Sequence, residues 1–279
     1  MFGSWQQACK EANIPFVKKE IDKLTANYHK FESRVGEEKI DKNGQIVKII
    51  KYDNAQNIIV EYQDEYKYLL HTSYNNWKNN HMRNPYYKNI FGVACVGNTE
   101  TKINGIKKKS YMVWYSMIQR CYKESEINKP TYIPCYVCDE WLCYENFEKW
   151  FNENYYIVGN EEMCLDKDIL CKHNTLYCPE KCVFVTQRIN KLFTKRQLHR
   201  GLQPIGVVYS ERDNAYIARC SNGTGVPKHL GNFSNEVSAY KAYKRYKEKI
   251  IKEVADEYKK YIPFKLYKAM YEYEVEIDD

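Results

Sequence analysis

Two close pairs of cysteines are the residues of this chain whose spacing by itself suggests chemistry. Cys135 and Cys138 are separated by two residues, and Cys178 and Cys182 by three. Two such pairs about forty residues apart have the spacing of two half-sites of a structural Zn2+ site with four thiolate ligands. Apolar residues lie beside the first pair, so the same positions also suit ordinary burial in a core. The spacing therefore leaves both readings open.

The whole chain has 11 cysteines, an odd number, and its first residues, MFGSWQQACK, contain no apolar run behind a basic segment. We therefore expect reduced thiols and a cytoplasmic location. No stretch approaches the roughly 18 apolar residues that cross a bilayer, so we expect no membrane partner. Nothing in the sequence indicates an organic cofactor, and it does not reveal the oligomeric state.

Positive charge is concentrated in the last third of the chain. Residues 187–268 contain 18 Lys and Arg against 7 Asp and Glu, whereas residues 1–186 carry 25 basic and 24 acidic residues. Residues 269–279 contain five acidic residues and no basic one. A basic segment on an otherwise neutral chain is typical of polyanion binders, since each Lys or Arg that meets a phosphate releases counterions. Charge alone also allows a solvated helix surface or a helix that docks an acidic partner.

The elements that would position these residues follow from hydrophobic periodicity. In the first half, spacings of three and four predict helices at 1–33, 110–122 and 139–155, and alternation predicts strands at 45–52 and 57–62. A loop-like stretch that precedes the second helix places a domain boundary near residue 105. A chain of 279 residues allows two or three small domains.

The second half alternates between strands and helices. Strands at 164–170 and 182–186, followed by a helix at 187–193, form a ββα unit. After a linker, three short strands lead into a long amphipathic helix that begins near Ser234, a favourable N-cap residue. The expected fold class is therefore α+β, with several small modules.

The last of these units carries a family pattern. Its residues are Gly206-Val207, Tyr216-Ile217-Ala218-Arg219, His229-Leu230-Gly231-Asn232-Phe233 and Ala239-Tyr240-Lys241-Ala242-Tyr243. They resemble the Apetala-type DNA-binding domain of ethylene-response factors. The resemblance implies a three-stranded antiparallel sheet that lies in the major groove of double-stranded DNA, with one helix packed behind it.

Strand alternation assigns faces within that resemblance. Val207, Ala218, Leu230 and Phe233 would face the helix. The side chains expected to contact DNA on the opposite face are Arg219 and His229, and those expected at strand ends beside phosphates are Arg212, Ser221 and Lys228.

The centre of the chain carries a second family pattern. Its residues include Trp114, Met117, Arg120-Cys121-Tyr122, Val137-Cys138-Asp139-Glu140-Trp141, Leu165-Asp166-Lys167-Asp168-Ile169-Leu170, Phe184-Val185 and Ile189-Asn190. This stretch is similar to bacteriophage proteins related to H-N-H homing endonucleases. The resemblance implies a ββα-metal fold in which a strand Asp and a helix Asn hold one divalent cation. Asp166 or Asp168 would then bind Mg2+ or Mn2+ together with Asn190.

The family also places a His beside the strand Asp, where it deprotonates the attacking water. Here that position holds Lys167 if Asp166 is the metal ligand, and Ile169 if Asp168 is. Lys is normally protonated at neutral pH and Ile does not titrate. His173 in the following loop is the candidate substitute base, and Lys167 or Arg188 would stabilise phosphate charge. An active nuclease and a degenerate fold that only holds DNA both remain open.

The opening residues, 2–14, look like one copy of the helical repeat associated with homing endonucleases. The expected organisation is then as follows: a helical segment at 1–33, a small β module at 34–105, an H-N-H-like ββα domain at 106–195, an Apetala-type domain at 204–262, and an acidic tail at 263–279. We expect a protein that binds double-stranded DNA, and the sequence leaves open whether its degenerate H-N-H-like centre also cleaves phosphodiesters with a metal ion. The alternative is a non-enzymatic transcriptional or architectural DNA-binding factor.

Overall fold

The structure is a computed structural model that describes residues 34–124, 134–194, 203–223, 227–277 and 279. The predicted helical segment 1–33 lies outside these residues. The chain divides into two compact units, Met1–Tyr87 and Lys88–Asp279. The division falls earlier than the predicted boundary near residue 105, because Ala94 and Val96 already belong to the core of the second unit. In the described part of the chain, no helix is long and apolar enough to cross a membrane.

The first unit is built on a four-stranded antiparallel sheet with strands in sequence order. Its strands are β1 (Glu38–Ile40), β2 (Ile46–Asn54), β3 (Asn57–Tyr62) and β4 (Leu69–Thr72), and the helix α1 (Tyr74–Lys78) follows them. Alternate residues of β2 and β3, such as Val47, Ile49 and Val60, are fully buried together with Trp77 of α1. The two strands predicted in this region are confirmed.

The second unit has a core in which an antiparallel strand pair is followed by a short helix. The pair is β8 (Met163–Asp166) with β10 (Val183–Thr186), and α4 (Gln187–Leu192) begins at the next residue. This order of elements agrees with the sequence prediction. The remaining elements before the C-terminal sheet are β5 (Lys102–Ile103), β6 (Ile106–Lys107), α2 (Lys109–Gln119), β7 (Tyr136–Val137), α3 (Tyr144–Asn154) and β9 (Leu176–Tyr177).

Large aromatic side chains fill this core. Trp114, Trp141, Tyr144 and Phe147 are fully buried, and the Trp114 Nε1–H donates to the Trp141 carbonyl at 2.7 Å. The predicted helix at 139–155 is divided into a 3-10 turn, Asp139–Leu142, and α3. The division occurs at Cys143, whose extended backbone pairs with Cys95 in an isolated parallel bridge.

The C-terminal sheet has three antiparallel strands that pack on one long helix. They are β11 (Val207–Ser210), β12 (Ala215–Cys220) and β13 (Lys228–Phe233), and the helix is α5 (Glu236–Tyr258). Val207, Ala218, Leu230 and Phe233 pack with Ala239 of the helix, as alternation predicted. The N-cap of α5 is Asn235 rather than Ser234, because the Asn235 Oδ1 accepts the backbone N–H of Ser238 at 2.8 Å.

Gly206 lets β11 approach the long helix closely. Its φ is +77°, and a Cβ at this position would lie 2.0 Å from the Tyr243 ring. Both facts require glycine, because other residues rarely adopt this φ and no side chain fits the space.

Helix α5 is shared between the C-terminal sheet and the central core. Its first half packs on the sheet, whereas Ile251, Val254 and Ala255 in its second half are buried in the central core. A further helix, α6 (Phe264–Tyr271), buries Leu266 and Met270 in the same core. The predicted Apetala-type domain and the predicted acidic tail therefore belong to one folded unit with the ββα core. The prediction of an acidic tail at 263–279 is wrong, because α6 has apolar residues four positions apart that form a buried face. A count of charged residues does not detect such a face.

Candidate metal and phosphate site

A cleft of about 570 Å3 lies between α2, strand β8 with its following loop, and α4. Four of the residues predicted to be catalytic line it: Asp166, Lys167, Asp168 and Asn190. The structure therefore brings together both candidate strand carboxylates and the helix Asn, although Asn190 follows Asp166 by 24 positions in the sequence.

Asp166 ends strand β8 and turns the chain. Its Oδ1 accepts the backbone N–H groups of Asp168 and Ile169, both at 2.8 Å. These bonds explain why the strand, predicted to run to residue 170, ends at 166. Burial raises the pKa of Asp166 above its ordinary value, and the two N–H donors offset part of that effect. Because both bonds use Oδ1, Oδ2 remains for a ligand in the cleft.

Lys167 is buried, and two strong hydrogen bonds hold its ammonium group. Nζ donates to the Asp168 Oδ1 and to the Asn174 carbonyl, both at 2.7 Å. Burial acts to lower the pKa of Lys167, but the Asp168 carboxylate outweighs it, so this pKa lies above the ordinary value. Lys167 therefore stays protonated at neutral pH and is unsuited to take a proton from water.

Asn190 reaches the cleft because α4 begins directly at the end of β10. The Thr186 Oγ1 accepts the backbone N–H of Ile189 at 3.3 Å and caps the helix. One position later, Asn190 is half-buried and lines the cleft. Within the described residues, its side-chain amide makes no hydrogen bond. The amide is therefore available to a ligand.

Further polar residues line the cleft, among them Lys109, Ser116, Arg120, Glu162 and Tyr177. No sequence pattern indicated them as site residues. Lys109 and Ser116 lie seven positions apart on α2, and Arg120 follows Ser116 by four positions, in the π-helical turn Arg120–Glu124 that continues the helix. The buried Trp114 and Met117 lie on a different face. The helical period that identified the buried face could have revealed this basic face. Glu162 gave no such signal, because it precedes β8 in a loop.

Two other predicted residues lie outside the cleft lining. His173 lies in a loop with φ +59°, and its Nε2 is 3.6 Å from the Glu276 Oε2. Arg188 forms an ion pair with Glu257 of α5 and packs over the Tyr258 ring. The structure thus places His173 beside the C-terminal segment and Arg188 beside the long helix.

The four cysteines of the predicted zinc site do not converge. No three of them have sulfur atoms within 4.8 Å of one another, in a search of the described residues that includes all four. Instead, Cys135 contacts the Lys167 ammonium. Burial raises the pKa of each of the four thiols, which favours the neutral thiol over the thiolate that zinc requires. Cys135, Cys178 and Cys182 are buried and Cys138 is half-buried, as in ordinary packing of small apolar side chains.

That search does find one set of three groups, formed by His173, Glu276 and Asp279. The Lys172 Nζ lies 3.3 Å from the carboxylate oxygens of both acids. A cation of the protein therefore already offsets part of the negative charge of this cluster.

The predicted DNA-contact residues of the C-terminal sheet differ in their exposure and in the partners that their side chains contact. Arg219 and His229 are directly paired across β12 and β13, and both are exposed. Lys228 instead lies over the Tyr246 ring of α5, at 5.0 Å. Arg212 is bonded to Asp213, and the Ser221 Oγ accepts the backbone N–H of Gly223. Only the Arg219 and His229 pair forms part of an open sheet face.

A comparison of the chain with protein-family models, with curated proteins and with solved structures found no match.

Proposed function

We propose that the chain binds double-stranded DNA and hydrolyses phosphodiester bonds in the cleft between α2 and the β8–β10 pair, with a divalent cation. The observation that supports this function best is the meeting of Asp166 and Asn190 in one cleft beside Lys109, Arg120 and Lys167. Carboxylate and amide oxygens with nearby cations suit a metal ion together with a phosphate group.

The donor set fits a hard cation. The Asp166 Oδ2 and the Asn190 amide oxygen are oxygen donors of the kind that Mg2+ and Mn2+ prefer, and neither is used by a described hydrogen bond. When bound there, the ion would supply charge stabilisation for the phosphate oxygens. Asp166 suits this role better than Asp168, because Asp168 is exposed and already accepts from Lys167.

The chain's own residues would handle charge and protons as follows. Lys109 and Arg120 attract the phosphate, and Lys167, held by Asp168 and Asn174, adds a fixed positive charge behind it. A water oxygen forms a bond to phosphorus and one of its protons passes to a carboxylate. The bond from phosphorus to the deoxyribose oxygen breaks, and that oxygen takes up a proton from solvent water. Among the described residues, the Glu162 carboxylate lines the cleft, accepts no hydrogen bond and forms no ion pair with Lys167. We therefore assign the proton of the attacking water to Glu162.

The C-terminal sheet would hold the duplex. Arg219 and His229 project side by side from one exposed face, and residues 187–268 carry a net charge of +11. Such a surface binds DNA with an affinity that falls steeply as salt rises.

A second candidate is a DNA-binding factor that does not cleave. It is favoured by the composition of the cleft, because no histidine occurs among the described residues that line it. The same basic groups would then only position the duplex.

Nicking of supercoiled plasmid in Mg2+ or Mn2+ tests the first proposal. Wild-type protein should nick, whereas Asp166→Asn and Asn190→Ala should not, and all three should bind DNA equally in EDTA. Asp139→Asn is the matched control, since it changes an exposed carboxylate that does not line the cleft and should keep the activity. Tight DNA binding without nicking by the wild type would support the second candidate, and no DNA binding would refute both.

A further inference from the structure

A small hairpin, formed by β5 and β6, extends into solvent just before α2. Asn104 and Gly105 form its turn with φ values of +50° and +79°, and the Lys108 N–H donates to the Thr101 carbonyl at its base, at 2.9 Å. These turn conformations match the type that joins two strands directly. Every residue from 102 to 107 is exposed.

The two faces of this hairpin have different chemistry. Ile103 pairs directly with Ile106, and Lys102 pairs directly with Lys107. Because side chains alternate along a strand, the two isoleucines share one face and the two lysines share the other. The ribbon therefore carries an apolar pair on one side and a basic pair on the other.

Both pairs are unfavourable in water alone. Ile103 is 59% exposed and Ile106 is 75% exposed, so neither side chain is buried. Like charges directly opposite each other destabilise a strand pair, and neither lysine has an ion-pair partner among the described residues. A ligand that supplies both negative charge and an apolar slot would relieve both costs.

The position of the hairpin points to the same ligand as the cleft. Ile106 precedes the cleft residue Lys109 by three positions, a distance of at most about 10 Å along an extended chain. The sequence from 101 to 123 contains six Lys and Arg residues and no acidic residue. A duplex bound at the cleft would therefore meet the hairpin, and the basic surroundings favour a polyanion over a basic protein partner.

We propose that the β5–β6 hairpin is a DNA wedge: Lys102 and Lys107 contact backbone phosphates, and the Ile103 and Ile106 pair inserts between stacked base pairs. Apolar side chains inserted in this way partly unstack a base step and bend the duplex. The inference rests on the proposed binding of double-stranded DNA and adds how the duplex is deformed.

Unwinding of closed circular DNA tests the wedge without knowledge of a target sequence. Relaxed plasmid is incubated with the full-length protein in EDTA, treated with a topoisomerase that needs no divalent metal, and freed of protein before electrophoresis. Wild-type protein should shift the linking number, because each inserted wedge unwinds the duplex. The double variant Ile103→Ser/Ile106→Ser should lose most of this shift, measured at protein concentrations that saturate the DNA.

Controls separate the wedge from DNA binding as such. Ile157→Ser removes another exposed isoleucine, 71% exposed, and should leave the linking-number shift unchanged. Lys102→Gln/Lys107→Gln should lower the slope of log affinity against log salt by about 1.8, as expected for two lost phosphate contacts. Lys260→Gln/Lys265→Gln, also at exposed positions, should change the slope less.

Two outcomes would overturn the proposal in distinguishable ways. If the wild type binds DNA but the Ile103→Ser/Ile106→Ser variant unwinds it equally well, the wedge is wrong and the proposed function stands. If the wild type does not bind DNA at any salt concentration, both the wedge and the proposed function are wrong.

Discussion

The cleft and the face of the C-terminal sheet hold their polar and charged groups in opposite ways. In the cleft, Asp166 and Lys167 are fixed by hydrogen bonds to backbone and side chains of the surrounding loop. On the sheet, Arg219 and His229 project into solvent from two paired strands.

This difference separates the two tasks of the proposed protein. Fixed charges can stabilise a particular distribution of charge without reorganising, which is what a chemical step needs. Exposed charges adapt to a long polyanion and contribute mainly to affinity. Substitutions in the cleft should therefore alter the rate, and substitutions on the sheet should alter binding.

The largest expected effect is the loss of nicking activity when the carboxylate of Glu162 is removed. Glu162→Gln should lower the rate of plasmid nicking by about 10^3-fold at saturating protein, because the amide cannot accept the proton of the attacking water. DNA affinity in EDTA should stay within about twofold. Nicking time courses measure the first quantity and fluorescence anisotropy the second. An unchanged nicking rate would remove Glu162 from the mechanism.

The next effect is a loss of stability when the close packing of β11 on α5 at Gly206 is disturbed. Gly206→Ala should lower the free energy of unfolding by about 3 kcal/mol, because the new methyl group meets the Tyr243 ring in addition to the strain of a positive φ. Gly159→Ala is the matched control, since Gly159 also has a positive φ but open space around it, and it should cost about 1 kcal/mol. Urea unfolding compares the two, and equal losses would contradict the close packing of β11 on α5.

A smaller effect is expected on the open sheet face. Arg219→Gln together with His229→Gln should weaken DNA binding about tenfold, since each phosphate contact contributes to the salt-dependent affinity. The nicking rate at saturating protein should not change. Arg212→Gln should weaken binding less, because Asp213 already neutralises that guanidinium. Binding that is indifferent to all three changes would place the DNA elsewhere.

The smallest effect contrasts Lys167 with a second buried lysine, Lys247 of α5. Burial lowers the pKa of Lys247 below its ordinary value, whereas the pKa of Lys167 lies above it. The folded protein therefore holds fewer protons at Lys247 than the unfolded chain, so this group's contribution to stability grows as pH rises toward about 10.5.

Lys247→Met should accordingly raise the free energy of unfolding by about 1 kcal/mol at pH 7, and the gain should shrink toward pH 10. Thermal melts of both proteins across this range measure it. A gain that is constant with pH would show that desolvation of the ammonium is not the cause.

Periodicity predicted much of the fold from sequence. It located two of the four strands of the first unit, the ββα order of the second, and the sheet packed on a long helix. It missed the folded C-terminal segment, because the acidic residues of 269–279 obscured the buried Leu266, Met270 and Val275. It also missed the β5–β6 hairpin, because two-residue strands give no periodic signal.

Only some residues of the candidate site could be predicted from the sequence. Asp166 and Asn190 share a cleft, as the sequence led us to expect. Cysteine spacing left a zinc site and plain burial both open, because spacing along the chain does not determine whether thiols converge in space. The displacement of His173 and Arg188 from the cleft depends on contacts with Glu276 and Glu257, each distant in sequence, which no local pattern encodes.

The most direct test of the central claim maps where a divalent cation binds. The protein is loaded with Fe2+ in place of Mg2+ and treated with ascorbate and hydrogen peroxide, so that radicals formed at the metal cut the nearby backbone. Mass spectrometry of the fragments should show cuts close to Asp166 and Asn190, and Asp166→Asn should abolish them. Cuts near His173 and Glu276 instead, or none that depend on Asp166, would contradict the assignment of the cleft as a metal site.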